Sequence, residues 1–179
     1  ENFDYVINLS GYIDHSNKIK TLKSHYEGCK NLADFFLRRK IKLFIQIGTS
    51  LEYGNKNSPQ HETFPCRPRS NYGLAKLKAT KYLFKLGKKF NFPFIVLRLY
   101  QIYGPNQTIN RLIPIAISSC LKDKIFACTS GTQFRDYLYI PLGGSKGGRW
   151  MSIKNIFVIF IISGFWHGAN WTFIMWGLT

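Results

Sequence analysis

Tyr72 and Lys76 lie four residues apart at the start of a segment whose pattern predicts a helix from residue 71 to about residue 89, so they share one face. Thr49 follows the strand-like run KLFIQIG, residues 42 to 48. In a parallel sheet, that carboxyl end is where ligands bind. A free tyrosine has a pKa of about 10 and is a poor base at neutral pH. A lysine ammonium one helical turn away favours the phenolate. Tyr72 could then take the proton of a substrate hydroxyl while hydride leaves the same carbon, with Thr49 holding that hydroxyl. The spacing is common by itself, and a second pair, Tyr26 with Lys30, has it too. That pair falls in mid-helix with no Ser- or Thr-ended strand before it, which predicts a surface location. For Tyr72 and Lys76 in isolation an exposed helix pair is the competing reading, and Thr49 upstream favours the site.

The elements that must position these groups can be read along the chain. Residues 4 to 9 (DYVINL) form a short apolar run ending in Ser10-Gly11, suited to a buried parallel strand. From about 18 to 40, Leu22, Leu32, Phe35 and Phe36 recur near helical spacing, with Arg38, Arg39 and Lys40 in the last turn. Residues 54 to 70, rich in Asn, Pro, Ser and Arg, mark a loop, and FIVLRL (94 to 99) reads as a third strand. Strand, helix, strand, helix, strand makes two βαβ units and hence a parallel α/β sheet, half of a doubly wound fold.

Net charge is +16, from 25 Lys plus Arg against 9 Asp plus Glu. Such a balance raises nucleic acid or an anionic membrane surface as partners. The lysines, however, are spread along the helix 71–89 (Lys76, Lys78, Lys81, Lys85, Lys88, Lys89), which predicts a solvated helix face. Without aromatic-basic interleaving or a reading helix, specific nucleic-acid binding is only an outlying alternative. Hydrophobic content of 45% and aromatic content of 16% exclude a disordered chain. Cys29, Cys66, Cys120 and Cys128 show no metal-ligand spacing, so neither zinc nor disulfides are expected, and a reducing compartment is. Cys29 and Cys120 fall in helical patterns as buried packing residues. Glu1-Asn2-Phe3-Asp4 has no signal-peptide character, and without an initiator Met the chain is expected to begin inside a longer protein.

VINLSG (6 to 11), GTSLEYG (48 to 54), NYGLAK (71 to 76), LRLYQIYGP (97 to 105) and GTQFRDYLYI (131 to 140) together resemble the extended short-chain dehydrogenase/reductase superfamily, in its NAD-dependent sugar-nucleotide epimerase/dehydratase branch. The resemblance implies a cytoplasmic enzyme using NAD or NADP on a sugar nucleotide. It makes Thr49, Tyr72 and Lys76 the catalytic triad, with Lys76 also on the nicotinamide ribose. Leu9, Ser10, Gly11 and Tyr100 would line the cofactor, although a plain strand-end turn also accounts for Ser10 and Gly11. Gln101 and Arg135 fall at substrate-contacting positions, the arginine suited to a pyrophosphate by its guanidinium fork. Three departures follow. The Gly-rich phosphate turn with the first βα unit is not in these residues. Ser50-Leu51 stands where 4,6-dehydratases carry Asp-Glu, which points to epimerase or reductase chemistry. The substrate lobe stops near Arg135, so the 179 residues alone are expected to be inactive.

After about Ile140 the composition changes. PLGGSKGGR (141 to 149) is a Gly-rich basic loop, and 153 to 178 is almost wholly apolar and aromatic. That window is long enough to cross a bilayer once, which favours a membrane-type helical segment over a buried soluble helix. FRDYLYIPLGGSKGGRW with SGFWHGANWTFIMWGL resembles the membrane-bound O-acyltransferases, closest to alginate O-acetyltransferase-like proteins. The resemblance makes His167 the active-site base, since an ionisable residue in such a segment is costly. An interfacial histidine beside a tryptophan belt is the alternative. The expected division is an NAD(P)-binding fragment over 1–136 and an acyltransferase fragment over 137–179. FRDYLYI (134 to 140) fits both families and predicts a join between two polysaccharide-locus genes.

Overall fold

The computed structural model of the chain describes residues 3–57, 59–132 and 136–139. They divide into two compact units, Glu1–Tyr100 and Gln101–Thr179.

The first unit is built on three parallel strands, β1 (Tyr5–Asn8), β2 (Leu43–Thr49) and β3 (Phe94–Leu99), in the order β1-β2-β3. Register pairs Phe44 with Val6 and with Phe94, so one face carries Val6, Phe44, Phe94 and Val96. Onto this face pack α2 (Gly28–Leu37) and α3 (Asn71–Phe90), through Cys29, Ala33 and Phe36 of the former and Ala79, Leu83 and Leu86 of the latter. Phe44 and Leu83 are fully buried at its centre. Small residues at 29, 33 and 79 let the helices approach closely, and the large residues fill the remaining volume.

Helix α3 starts where Ser70 accepts the Gly73 N–H at 3.0 Å. It ends where Asn91 takes the left-handed conformation (φ 53°) and its N–H donates to Gly87 O. The sequence reading of α3, the loop before it and all three strands agrees with the structure to within two residues at each end. The expected continuous helix over 18–40 is instead three pieces. These are α1 (Lys18–Leu22), capped by Asn17, a π-helical turn over Lys23–Glu27, and α2. Two other expectations fail. Lys76 is buried rather than on a solvated face. Cys120 is exposed, whereas Cys29 is buried as expected.

The second unit has β4 (Gln101–Tyr103) paired in parallel with β5 (Tyr137–Tyr139), and α4 (Leu112–Cys120). None of the α4 residues is buried. The two short strands were not anticipated, because three residues carry too little alternation to be recognised, whereas α4 includes Cys120, which the sequence placed in a helical pattern. No helix among the described residues is long and apolar enough to cross a membrane. The membrane-type reading of 153–178, with His167, lies outside the described residues, as does Arg135.

Candidate active site

The carboxyl end of β2 and the first turns of α3 meet at one place. A Cβ on Gly73 would stand 2.8 Å from Leu51 O, so glycine is what lets α3 begin this close to the turn after Thr49. Lys76 is 4% exposed, and its Nζ donates to Ile47 O at 2.7 Å. The same nitrogen lies 5.7 Å from the centroid of the Tyr72 ring. Burial pushes the Lys76 ammonium below its ordinary pKa, opposed chiefly by the Glu52 charge. Tyr72 is half-buried between two imidazoles. His15 stacks on it (centroids 4.1 Å, planes 13° apart), and His25 meets it edge-on at 4.9 Å.

His25 comes from the π-helical turn and is 5% exposed. Its Nε2 bonds Tyr12 O at 3.1 Å, which makes Nε2–H the donor and leaves Nδ1 as an acceptor. Nδ1 is buried and receives no hydrogen bond among the described residues. Burial, then the Lys76 charge, lowers the His25 pKa to about 4, so the ring is neutral at pH 7. A Cβ on Gly11 would stand 2.5 Å from His25 Cε1, so only glycine fits there.

Thr49 is buried. Its Oγ1 accepts the Leu51 N–H at 3.4 Å, and its own N–H donates to Glu52 Oε1 at 3.0 Å. The two contacts form a capping box on the short 3₁₀ turn Ser50–Glu52. After β1, Asn8 Oδ1 accepts from both the N–H and the hydroxyl of Ser10, while its amide donates to Gln46 Oε1 at 2.7 Å. Leu9, Ser10 and Gly11 are exposed at this strand end. Tyr100 donates its hydroxyl to Gln60 at 2.8 Å. Gln101 opens β4 in the second unit, its N–H on Asp136 O.

The structure therefore assembles Tyr72 and Lys76 at the end of β2 that bears Thr49. Sequence reasoning missed His15, His25 and Glu52. Glu52 had a signal, the Thr-x-x-Glu spacing of a capping box. His25 had none, because the π-helical turn breaks the helical period on which a face assignment depends.

Three parallel strands with α2 and α3 on one face define a parallel α/β fold, in which ligands bind at the carboxyl ends of the strands. Residues 1–141 match the NAD dependent epimerase/dehydratase family, and the chain belongs to it. Residues 134–179 match the membrane-bound O-acyltransferase family. A dTDP-D-glucose 4,6-dehydratase of Dictyostelium discoideum is 32% identical over 166 residues, covering 78% of this chain and 36% of that protein. The UDP-glucuronic acid 4-epimerase of Bacillus cereus, solved in complex with NAD, superposes with a TM-score of 0.67 at 29% identity, over 76% of this chain and 45% of that one. The tail is 52% identical over 46 residues to a probable alginate O-acetylase of Azotobacter vinelandii, covering 26% of this chain and 9% of the O-acetylase. The chain thus spans less than half the length of each of these relatives.

Proposed function

We propose that residues 1–136 are the catalytic-helix portion of an NAD(P)-linked sugar-nucleotide epimerase or reductase. The observation that carries this reading is Lys76, buried against the Ile47 carbonyl with its charge beside the Tyr72 ring. A surface lysine would not accept that desolvation without a use for the charge. The strand end suits a dinucleotide. The turn 9–11 is exposed, Gly11 leaves no side chain in the way, and the buried Nδ1 of His25 is an acceptor for a hydroxyl-bearing group.

In this reading Leu9, Ser10, Gly11 and Tyr100 line the cofactor, and Lys76 holds the nicotinamide ribose. The bound nicotinamide supplies reversible hydride acceptance. Tyr72 as phenolate removes the proton of a sugar hydroxyl, and the Lys76 ammonium stabilises the phenolate charge. Thr49 Oγ holds the hydroxyl in line. Ser50 and Leu51 supply no acid or base for water elimination. Glu52, one residue further, is turned inward onto Thr49, Thr80 and Arg98, so epimerisation or reduction at the oxidised carbon is favoured over dehydration.

The test joins this segment to a Gly-rich βα unit and a substrate lobe from a family member. The joined protein is supplied with NAD, NADP and a panel of UDP-, GDP-, CDP- and dTDP-sugars. Interconversion of C4 epimers, or reduction of a 4-keto sugar, is expected. The 179 residues alone should give no turnover. A dehydrated product from the joined protein overturns the assignment, and so does robust turnover by the short chain.

A second reading concerns 137–179, proposed as a membrane-associated remnant of a polysaccharide O-acyltransferase with His167 as its base. The two family matches overlap over 134–141, which supports a join of two genes at the shared string FRDYLYI. A long sequencing read of single DNA molecules across these codons should carry each half into its own family's remaining sequence. One continuous frame with a Gly-rich motif upstream would instead mean a natural fusion.

A further inference from the structure

We propose that Glu52 is the positioning residue of this site, fixing the strand end that carries Thr49 and supplying the negative charge against which Lys76 is held. The inference rests on the reading of Thr49, Tyr72 and Lys76 as the reacting groups.

Glu52 is the only carboxylate among the fully buried side chains of the described residues, at 0% exposure. Each of its oxygens is engaged. Oε1 accepts the Thr49 N–H at 3.0 Å, and Oε2 accepts the Thr80 hydroxyl at 2.9 Å and Arg98 Nε at 3.1 Å. These donors come from three elements, namely the end of β2, the middle of α3 and β3. One carboxylate therefore ties together the strand bearing Thr49, the helix bearing Tyr72 and Lys76, and the neighbouring strand. The backbone is shaped to receive it. A Cβ on Gly48 would stand 2.7 Å from Glu52 Oε1, so the carboxylate occupies the space a larger residue would need. Arg98 is itself held over the Tyr53 ring, its guanidinium carbon 4.6 Å from the centroid.

The buried carboxylate is paired with Arg98, so a neutral side chain in its place would leave that guanidinium without its partner. The ionic choice has a consequence for Lys76, whose own hydrogen bond is to a neutral carbonyl. Glu52 supplies the main charge favouring the Lys76 ammonium against its burial. The other charged or titratable groups around this network are Arg98 on β3 with Tyr53 against it, Cys29 on α2, Cys66 in the loop before α3, Lys81 on α3, and His15 and His25 beside Tyr72. Arg98 offsets part of the Glu52 charge, because its guanidinium lies 3.1 Å from Glu52 Oε2.

The test uses the 179-residue chain with a ¹³Cε-lysine label, and follows Lys76 by NMR against pH. In Glu52→Gln the Lys76 midpoint should fall by about half a pH unit or more. In Arg98→Gln, which removes the opposing charge, the Lys76 midpoint should move the other way. In Glu52→Asp, which keeps the charge, Lys76 should titrate near the parent value. Damage to the fold alone would shift Lys76 in the same direction in Glu52→Gln and Arg98→Gln, and that result overturns the proposal, as does no shift in either. If Glu52→Gln does not fold, Arg98→Gln alone decides, and an unchanged or lowered Lys76 midpoint overturns it. None of these readings needs turnover, so failure here is distinct from failure of the joined protein to act on sugar nucleotides.

Discussion

The chain contains two tyrosine–lysine pairs at the same four-residue spacing, and the fold uses them in opposite ways. Lys30 bonds Asp34 at 2.6 Å on the outer face of α2, with both side chains more than a third exposed. Tyr26 packs edge-on against Tyr82 at the border of the core. Lys76 has no carboxylate partner within ion-pair distance among the described residues. It is buried under the sheet end, and Tyr72 is enclosed by His15 and His25. Spacing puts both pairs on helix faces. What separates them is the strand that precedes each one and the water each lysine keeps. A lysine on a solvated face gains a weak, screened ion pair, whereas a buried one imposes its charge on whatever shares its low-dielectric surroundings.

The largest expected difference between the pairs is chemical. In the protein joined to a Gly-rich unit and a substrate lobe, Tyr72→Phe should lower kcat by roughly a hundredfold or more, the usual effect of removing an acid/base group. Tyr26→Phe should leave kcat nearly unchanged. Steady-state kinetics on the two variants decides it, and equal losses would mean that the spacing alone had been over-read.

Much of this contrast is legible in the residues themselves. Thr49 before Tyr72 and Lys76, the three apolar strands and the helix 71–90 follow from periodicity and turn chemistry. The burial of Lys76 does not, because a lysine in an amphipathic pattern reads as solvated until the sheet end above it is known. Glu52 stands at capping-box spacing from Thr49, a pattern that announces a turn and says nothing of the burial of its carboxylate. The π-helical turn that delivers His25 leaves no periodic signal. The short pairing of β4 with β5 joins Gln101 to Tyr137 and Tyr103 to Tyr139, far apart in the chain, so no local pattern announces it.

A second contrast is in acid sensitivity, and it comes from the imidazole packed against Tyr72. His25 has a folded pKa of about 4 against an ordinary 6.5. Between those values the unfolded chain binds the extra proton, so stability rises with pH there. The contribution is complete above pH 6.5 and fades as pH falls towards 4. Denaturant unfolding should show about 2 kcal/mol lost between pH 7 and pH 5 from this group. His25→Asn should be flatter over that interval. An identical slope in His25→Asn would mean that the imidazole does not remain neutral beside Lys76.

The smallest effect tests the comparison most directly, because it predicts opposite signs. Lys76 is held below its ordinary pKa by burial, so at neutral pH its charge costs stability, and the cost is relieved as pH rises through the folded pKa towards 10.5. Lys76→Met keeps the chain length and removes that cost. The Ile47 carbonyl is not left without a donor, since the Gln46 side-chain amide also reaches it at 2.9 Å. Lys76→Met should therefore raise stability, by on the order of 1 kcal/mol, while abolishing the proposed chemistry. Lys30 is the reverse case. Its pKa is raised by the hydrogen bond and charge of Asp34, so it contributes stability below the unfolded value that is lost as pH rises through the folded one. Lys30→Met should lower the unfolding midpoint slightly at pH 7 and not at high pH. Urea unfolding of both variants at pH 7 and at pH 11 separates the cases. Two shifts of the same sign at pH 7 would show that the fold does not distinguish the pairs by burial, and the assignment of Lys76 to a site would lose its physical basis.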